Sequence, residues 1–352
     1  MMGAVMRTSP LNKLHTRLGA QMEEVDGWMM PHSFSSLLEE HLTARSACAV
    51  FDISSVVKFR ISGNGAQDWL ESAMCAKVSD CRDGTALHAL MLNEDGKILD
   101  RVALLRVSGG EFMLIGHPGM EEKDATWLEQ RKPHAALTLS DETDSWCAMT
   151  LMGPQCEQVL ARVLRGVDLP GMGRFSQFFY QGRRLVLARI GLHEELEEER
   201  AYEFFCPAVS GISWFESFIG AGARPCGIAT RECLRLERGC VSMGRDIPPE
   251  RHTPGQAGME HLRHTRKAQS APDRVREKVA RLRCENADKS LPTPGCSVRD
   301  VTGTTVGRVT SAAYSPAADG VVAMALVSAA LVHPGVHLVI MVDGREVPAQ
   351  IM

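Results

Sequence analysis

Apolar and polar positions recur with two different periods along the first half of the chain, and the two periods interleave. Between residues 33 and 47, Leu37, Leu38, His41, Leu42 and Arg45 fall at helical spacing, and Ser35 or Ser36 is placed to cap the first turn. At 56–62 the period changes to two, with Val57, Phe59 and Ile61 on one face and Val56, Lys58 and Arg60 on the other. Gly63-Asn64-Gly65 breaks that strand, and residues 66–74 read as a helix. Residues 85–92 and 98–107 read as two strands joined at Asn93-Glu94-Asp95-Gly96, where Asp-Gly between apolar runs signals a hairpin. A third strand at 111–116 and a helix at 121–130 follow. The order strand, helix, three strands, helix predicts an α+β fold with antiparallel sheets. Further strands are expected at 148–152 and 185–190, with a helix over 155–164 between them.

The pattern changes after Ile247. Pro248, Pro249, Pro254 and Pro272 punctuate a poorly apolar stretch that carries Arg263, Arg266, Lys267, Arg274, Arg276, Lys278, Arg281 and Arg283. This stretch reads as a domain connection, with a basic docking patch as the second reading. From Cys296 onward, turn signals at Gly303, Gly307, Ser315-Pro316, Asp319-Gly320, Pro334-Gly335 and Asp343-Gly344 separate short strands, the pattern of a small β-barrel or sandwich. The nearly all-acidic run from Glu194 to Arg200 reads as a solvated surface.

Composition narrows the function classes. Over 352 residues, 44% hydrophobic and 23% charged describes an ordinary globular chain with room for two or three domains. A net charge of −4 gives no electrostatic footprint for nucleic acid or an anionic membrane. The first ten residues carry only Arg7 as a charge and no apolar core, so no secretory signal is expected. The most apolar run, 320–332, falls short of the ~18 residues of a spanning helix. Eleven cysteines, with no Cys-x-x-Cys pair, favour a reducing, cytoplasmic setting, and no metal site is expected from Cys226, Cys233 and Cys240 at intervals of seven.

Several segments together carry a family pattern. They begin with Ser9-Pro10-Leu11, His15, Gly19-Ala20, Met22 and Gly27-Trp28-Met29-Met30-Pro31, then Glu40-His41, Arg45, Phe51-Asp52 and Ser54. Leu92-Asn93-Glu94, Gly96, Ile98-Leu99-Asp100, Lys123-Asp124 with Trp127, and Gly153-Pro154 follow. The next block is Gly227, Arg231, Leu234-Arg235-Leu236-Glu237, Gly239, Gly244 and Asp246-Ile247, then Thr253-Pro254. The last runs through Pro294-Gly295, Gly307, Val309-Thr310-Ser311, Ser315-Pro316, Ala323-Met324-Ala325, Pro334-Gly335 and Val347-Pro348-Ala349. In this order and separation the chain resembles the aminomethyltransferase, or glycine cleavage T-protein, family. That family also holds folate-dependent demethylases and a more distant iron–sulfur-maintenance branch. Arg238-Gly239-Cys240-Val241-Ser242-Met243-Gly244 has the T-protein spacing, one residue longer than that branch.

The resemblance implies a three-domain cloverleaf: two interleaved α+β domains within residues 1–270 and a C-terminal β-barrel domain over 271–352. It implies tetrahydrofolate as cofactor and a lipoyl carrier protein as partner. By the same resemblance Glu203 matches the family carboxylate that accepts from the pterin N–H and amino group, and Arg231 matches the arginine that bonds or braces that edge.

The reactive end departs from the family. T-proteins carry a paired Asp-Asp here, and this chain reads Asp100-Arg101, with period-two alternation placing the two side chains on opposite faces. A positive charge beside a developing cation opposes the reaction. His117 stands where relatives have Asn, six residues before Lys123-Asp124, and is a candidate acid or base at the folate site. Ser54-Ser55-Val56 replaces a Ser-His-Met, and Gly191-Leu192-His193-Glu194-Glu195 replaces a Gly-Tyr-Thr-Gly-Glu. Three functions therefore stay open: aminomethyl transfer with release of ammonia, a folate-binding relative with a regulatory role, and a folate-dependent demethylase.

Overall fold

The computed structural model describes residues 6–191, 200–262, 275–285 and 290–352. These pack as two units, one drawn from 1–91 with 100–231 and the other from 92–99 with 232–352. The acidic residues 194–199 and the basic residues of 263–274 lie outside the described residues.

The first unit holds two large sheets and a small one. The five-stranded sheet runs in the order Ala86–Leu92, Ile98–Ser108, Glu111–Gly116, Val57–Ser62, Thr138–Asp141. The six-stranded sheet runs Arg174–Tyr180, Arg183–Arg189, Ala201–Pro207, Trp146–Met152, Ala49–Asp52, Arg224–Pro225. The chain leaves the second sheet after Asp52, builds the first, and returns at Trp146, so two α+β layers interleave. Pairing is antiparallel except at the short edge strand Arg224–Pro225 and where Arg7–Thr8 joins Trp28–Ser33.

On the six-stranded sheet, Val50, Met149, Leu151, Leu185, Leu187, Phe204 and Cys206 share one apolar face with Leu160, Phe215 and Phe218. The last three come from the helices Cys156–Val163 and Gly211–Gly220. Each fully buried Leu or Phe there contributes roughly 1.5–3 kcal/mol. Period-two alternation turns Glu203 to the opposite face, opposite Thr150 and Ala188 on the neighbouring strands.

In the second unit six strands close a barrel in the order Glu277–Cys284, Gly320–Ser328, Thr305–Ser315, Ser297–Arg299, His337–Val342, Arg345–Ile351. Closure removes the free sheet edges. The interior is aliphatic: Leu282, Val298, Val309, Val321, Ala323, Ala325, Leu338 and Ile340. No helix among the described residues is long and apolar enough to cross a membrane.

Two expectations need correction. The predicted helix over 33–47 is Leu37–Ser46, opened by a Ser36–Glu39 capping box. Its apolar stripe is not the buried one: Leu38 and Leu42 are exposed, while Glu40, His41, Thr43 and Ala44 are buried. Buried hydrogen bonds to Glu40 orient this helix, and they override the leucine pattern. Lys58, on the face away from Val57, Phe59 and Ile61, is fully buried, while Arg60 two residues on is exposed. Part of the basic connection is a barrel strand. In Glu277–Cys284 the inward Ala280, Leu282 and Cys284 alternate with Arg281 and Arg283, so the charges mark the outer face of a strand.

Candidate functional site

The Asn93–Gly96 turn forms as expected, with Asn93 Oδ1 accepting from Asp95 N and Lys97 N at 3.1 and 2.9 Å. It feeds the strand Ile98–Ser108, which carries Asp100 and Arg101, both buried. The opposite faces expected for these two residues are therefore both covered, and neither is a solvent face.

Asp100 is an acceptor hub. Its Oδ1 takes hydrogen bonds from Arg101 N and from His117 Nδ1, each at 2.8 Å, and its Oδ2 takes one from His117 N at 3.1 Å. The structure thus brings together two of the sequence-derived site residues, Asp100 and His117. His117 is set by a turn: Met120 N donates to His117 O at 3.3 Å across Pro118-Gly119, with Gly119 at φ +77°. Pro then Gly is the pairing that a type II turn requires.

Asp124 completes the cluster, and its role was not read from the sequence. It sits in the first turn of the helix Glu121–Gln130, four residues before the buried Leu128. That i, i+4 spacing, which puts both residues on the stripe facing the sheet, was the available signal. Burial, followed by the charge of Asp100 beside it, raises the Asp124 carboxyl well above the ordinary carboxylate range. A buried carboxyl beside a second acid is held toward its protonated form.

Glu203 lies in the strand Ala201–Pro207, 1% exposed, with Oε2 accepting from Ile190 N at 3.3 Å. Arg231 lies half-buried in the first turn of the helix Ile228–Arg238.

Other motif residues form buried carboxylate hubs that build the scaffold. Asp52 binds Ser9 Oγ, His15 Nε2 at 2.8 Å and Ser54 N at 2.9 Å. Burial opposes its ionisation, but the hydrogen bonds from His15, Ser54 and Ser9 outweigh that and hold its pKa below the usual carboxylate value. Serine, histidine and aspartate meet here without making a nucleophile. Ser9 donates to Asp52, and His15 is fully buried between the edges of Phe34 and Phe215. Glu40 accepts from Phe34 N, Ser35 N, Gly227 N and Thr230 Oγ1 at 2.6–3.0 Å, tying the helix Leu37–Ser46 to the start of Ile228–Arg238. In the second unit Asp246 accepts from Arg235 Nη1, Ser242 N, Thr310 Oγ1 and Ser311 Oγ at 2.5–2.8 Å. Ten of the eleven cysteines are buried, and burial pushes the thiols of Cys48, Cys156 and Cys284 up to about 12, which leaves them inert as nucleophiles.

Comparison with known proteins agrees with this architecture. The GCVT N-terminal domain model matches residues 11–267, and the glycine cleavage T-protein C-terminal barrel domain model matches 278–352. The aminomethyltransferase of Symbiobacterium thermophilum is 28% identical, with 100% of this chain and 97% of the relative covered. That of Staphylococcus haemolyticus is 25% identical, covering 100% and 98%. The crystal structure of glycine cleavage system aminomethyltransferase T from Bartonella henselae superposes with a TM-score of 0.87 at 25% identity, covering 98% of this chain and 96% of that one. With both halves matched and the closed barrel in place, the chain belongs to the glycine cleavage T-protein family.

Proposed function

We propose that this chain is a tetrahydrofolate-dependent aminomethyltransferase. It accepts an aminomethyl group presented on a lipoyl carrier protein, passes the carbon to tetrahydrofolate and releases ammonia. The observation that carries this reading is the match to both T-protein segments across 11–267 and 278–352. The unpaired thiols accord with a reducing, cytoplasmic setting.

The residues present fit a reduced folate. Glu203 is a buried carboxylate on the sheet face away from the apolar core, and its Oε2 accepts from Ile190 N at 3.3 Å. A carboxylate offers about four acceptor sites, enough to take an N–H and an amino group side by side. Arg231 supplies a planar donor fork for the same edge or for bracing Glu203. When bound, tetrahydrofolate supplies the nucleophilic nitrogens that receive the one-carbon unit. Asp100 and Arg101 line the reactive end in this reading. There Arg101 stands in place of a family carboxylate, and Asp100, on the opposite face of the strand, does not substitute for it.

Titration of the whole protein with tetrahydrofolate, followed by calorimetry, tests the binding half. Glu203→Ala is expected to weaken binding roughly 10- to 100-fold. Absence of wild-type binding, or an unchanged Kd in the variant, removes the folate assignment. Ammonia release from an aminomethylated lipoyl carrier tests the transfer half, and folate binding without ammonia release would overturn it.

A further inference from the structure

Within the acidic cluster only one group has both a free lone pair and an open side. Asp100 is fully buried and already accepts from Arg101 N, His117 N and His117 Nδ1. Asp124 is buried beside Asp100, and burial raises its carboxyl well above the ordinary carboxylate range. Arg101 has donors and no acceptor. The His117 side chain is 14% exposed, and among the described residues its Nε2 has no hydrogen-bond partner.

The ring is fixed twice, through its own backbone N–H and through Nδ1, both to Asp100. A carboxylate on Nδ1 selects the tautomer with hydrogen on Nδ1, which leaves the Nε2 lone pair pointing away from the cluster. The same carboxylate stabilises the imidazolium that forms when Nε2 is protonated. The charged groups facing this loop are Asp100 and Arg101 from the strand Ile98–Ser108 and Asp124 from the helix Glu121–Gln130. Glu121 and Lys123 act on Asp124 from the same helix, and Asp26 packs under Gly119.

We propose that His117 is the acid–base residue of the transfer, with Nε2 taking the proton freed at an accepting folate nitrogen and delivering it to the departing ammonia. This rests on the aminomethyltransferase reading. The transfer exchanges one carbon–sulfur and one carbon–nitrogen bond for two new carbon–nitrogen bonds. The carbon keeps its oxidation level, and the two N–H protons released leave on the thiol and on ammonia. Arg101, permanently charged, cannot carry either proton. His117 supplies a titratable group bonded to Asp100, whose carboxylate also accepts from the backbone N of Arg101, the position where the family carboxylate is missing. Asp100 and Asp124 act as positioning residues.

His117→Asn is the informative variant, because an amide can still donate to Asp100 but has no titratable nitrogen. In the full-length protein, kcat for ammonia release from an aminomethylated lipoyl carrier is expected to fall about 10²- to 10³-fold. The KM for tetrahydrofolate should stay within about threefold, and the limb of the kcat–pH profile that reports one deprotonation should vanish. A second measurement needs no turnover. In ¹⁵N-histidine-labelled wild type, with the signal assigned by its loss in His117→Asn, Nε2 should resonate as an unprotonated nitrogen and shift when tetrahydrofolate saturates the protein. A variant kcat within threefold of wild type with the same pH profile overturns the proposal. So does an Nε2 signal that carries the proton, or one that folate binding leaves unmoved. Wild type that binds folate and moves Nε2 but releases no ammonia sinks the transfer reading, and with it the acid–base role, while placing His117 at the folate.

Discussion

The carboxyl groups of Asp100 and Asp124 converge on the α-carbon of Gly116. A Cβ built there would lie 2.8 Å from Asp124 Oδ2 and 3.0 Å from Asp100 Oδ2, with Val57 Cβ at 3.3 Å. A side chain at 116 would have to part the acid pair or push the strand Glu111–Gly116 away from Val57–Ser62. Gly116→Ala is therefore expected to cost about 1–3 kcal/mol, the usual range for overpacking, measured by urea denaturation. A stability equal to wild type would mean that the two acids do not meet as described.

The raised Asp124 carboxyl has a pH signature. Above about pH 4 the unfolded chain releases the Asp124 proton while the folded chain, with its raised pKa, retains it. Folding then takes up a proton, and stability falls as pH rises. Asp124→Asn removes this dependence. The stability of wild type minus that of Asp124→Asn should decline by up to about 1.4 kcal/mol per pH unit from pH 4 toward the raised folded value. Parallel stability–pH curves would show that Asp124 is ionised in the folded protein.

Lys58 gives the opposite slope. Its Nζ donates to Ser54 O and Val56 O at 2.8 Å each, in full burial, and burial lowers its pKa from the ordinary 10.5 to about 8. Below pH 8 the folded protein carries the whole penalty of a buried ammonium. Between pH 8 and 10.5 the unfolded chain holds the proton that the folded chain has lost, so this penalty is relieved as pH rises. Lys58→Met removes it at every pH. The stability of wild type relative to Lys58→Met should therefore improve by roughly 2–3 kcal/mol between pH 7.5 and 10.5. A difference that stays flat across that window would place the Lys58 pKa near its ordinary value.

Arg235 forms a buried ion pair with Asp246, 2.6 Å away and fully buried, and also pairs with Glu232 on its own helix. Asp246→Ala leaves Arg235 its pairing with Glu232 but strands Thr310 and Ser311, at an expected cost of about 1–3 kcal/mol. Replacing both partners by apolar residues should cost clearly less than the two single changes added together. A double-mutant cycle in denaturant measures the coupling. Additive costs would reduce the pair to two independent contacts.

Much of the secondary structure was legible because local chemistry and burial agreed. The helix Glu121–Gln130 and the strands around Asn93–Gly96 follow directly from period and turn residues. The pattern failed where polar contacts or covering layers decided burial. Leu38 and Leu42 face solvent because Glu40 on the same helix turns inward to meet four donors. The strand Glu277–Cys284 was masked by arginines that period-two alternation turns outward.

The sequence by itself determined the α+β class, the barrel, the family, and the residue types at Asp100, Arg101, His117, Glu203 and Arg231, since these rest on spacing and identity along one dimension. Only the tertiary structure decided what the acids do. Ser9, Asp52 and His15 make a closed scaffold bond, while Asp100, Asp124 and His117 make a cluster with one open nitrogen. The physical reason is that charge state depends on burial and on neighbours brought from distant positions. Asp100 meets His117 and Asp124 across two separate elements, and no local pattern encodes the field that one carboxylate exerts on another.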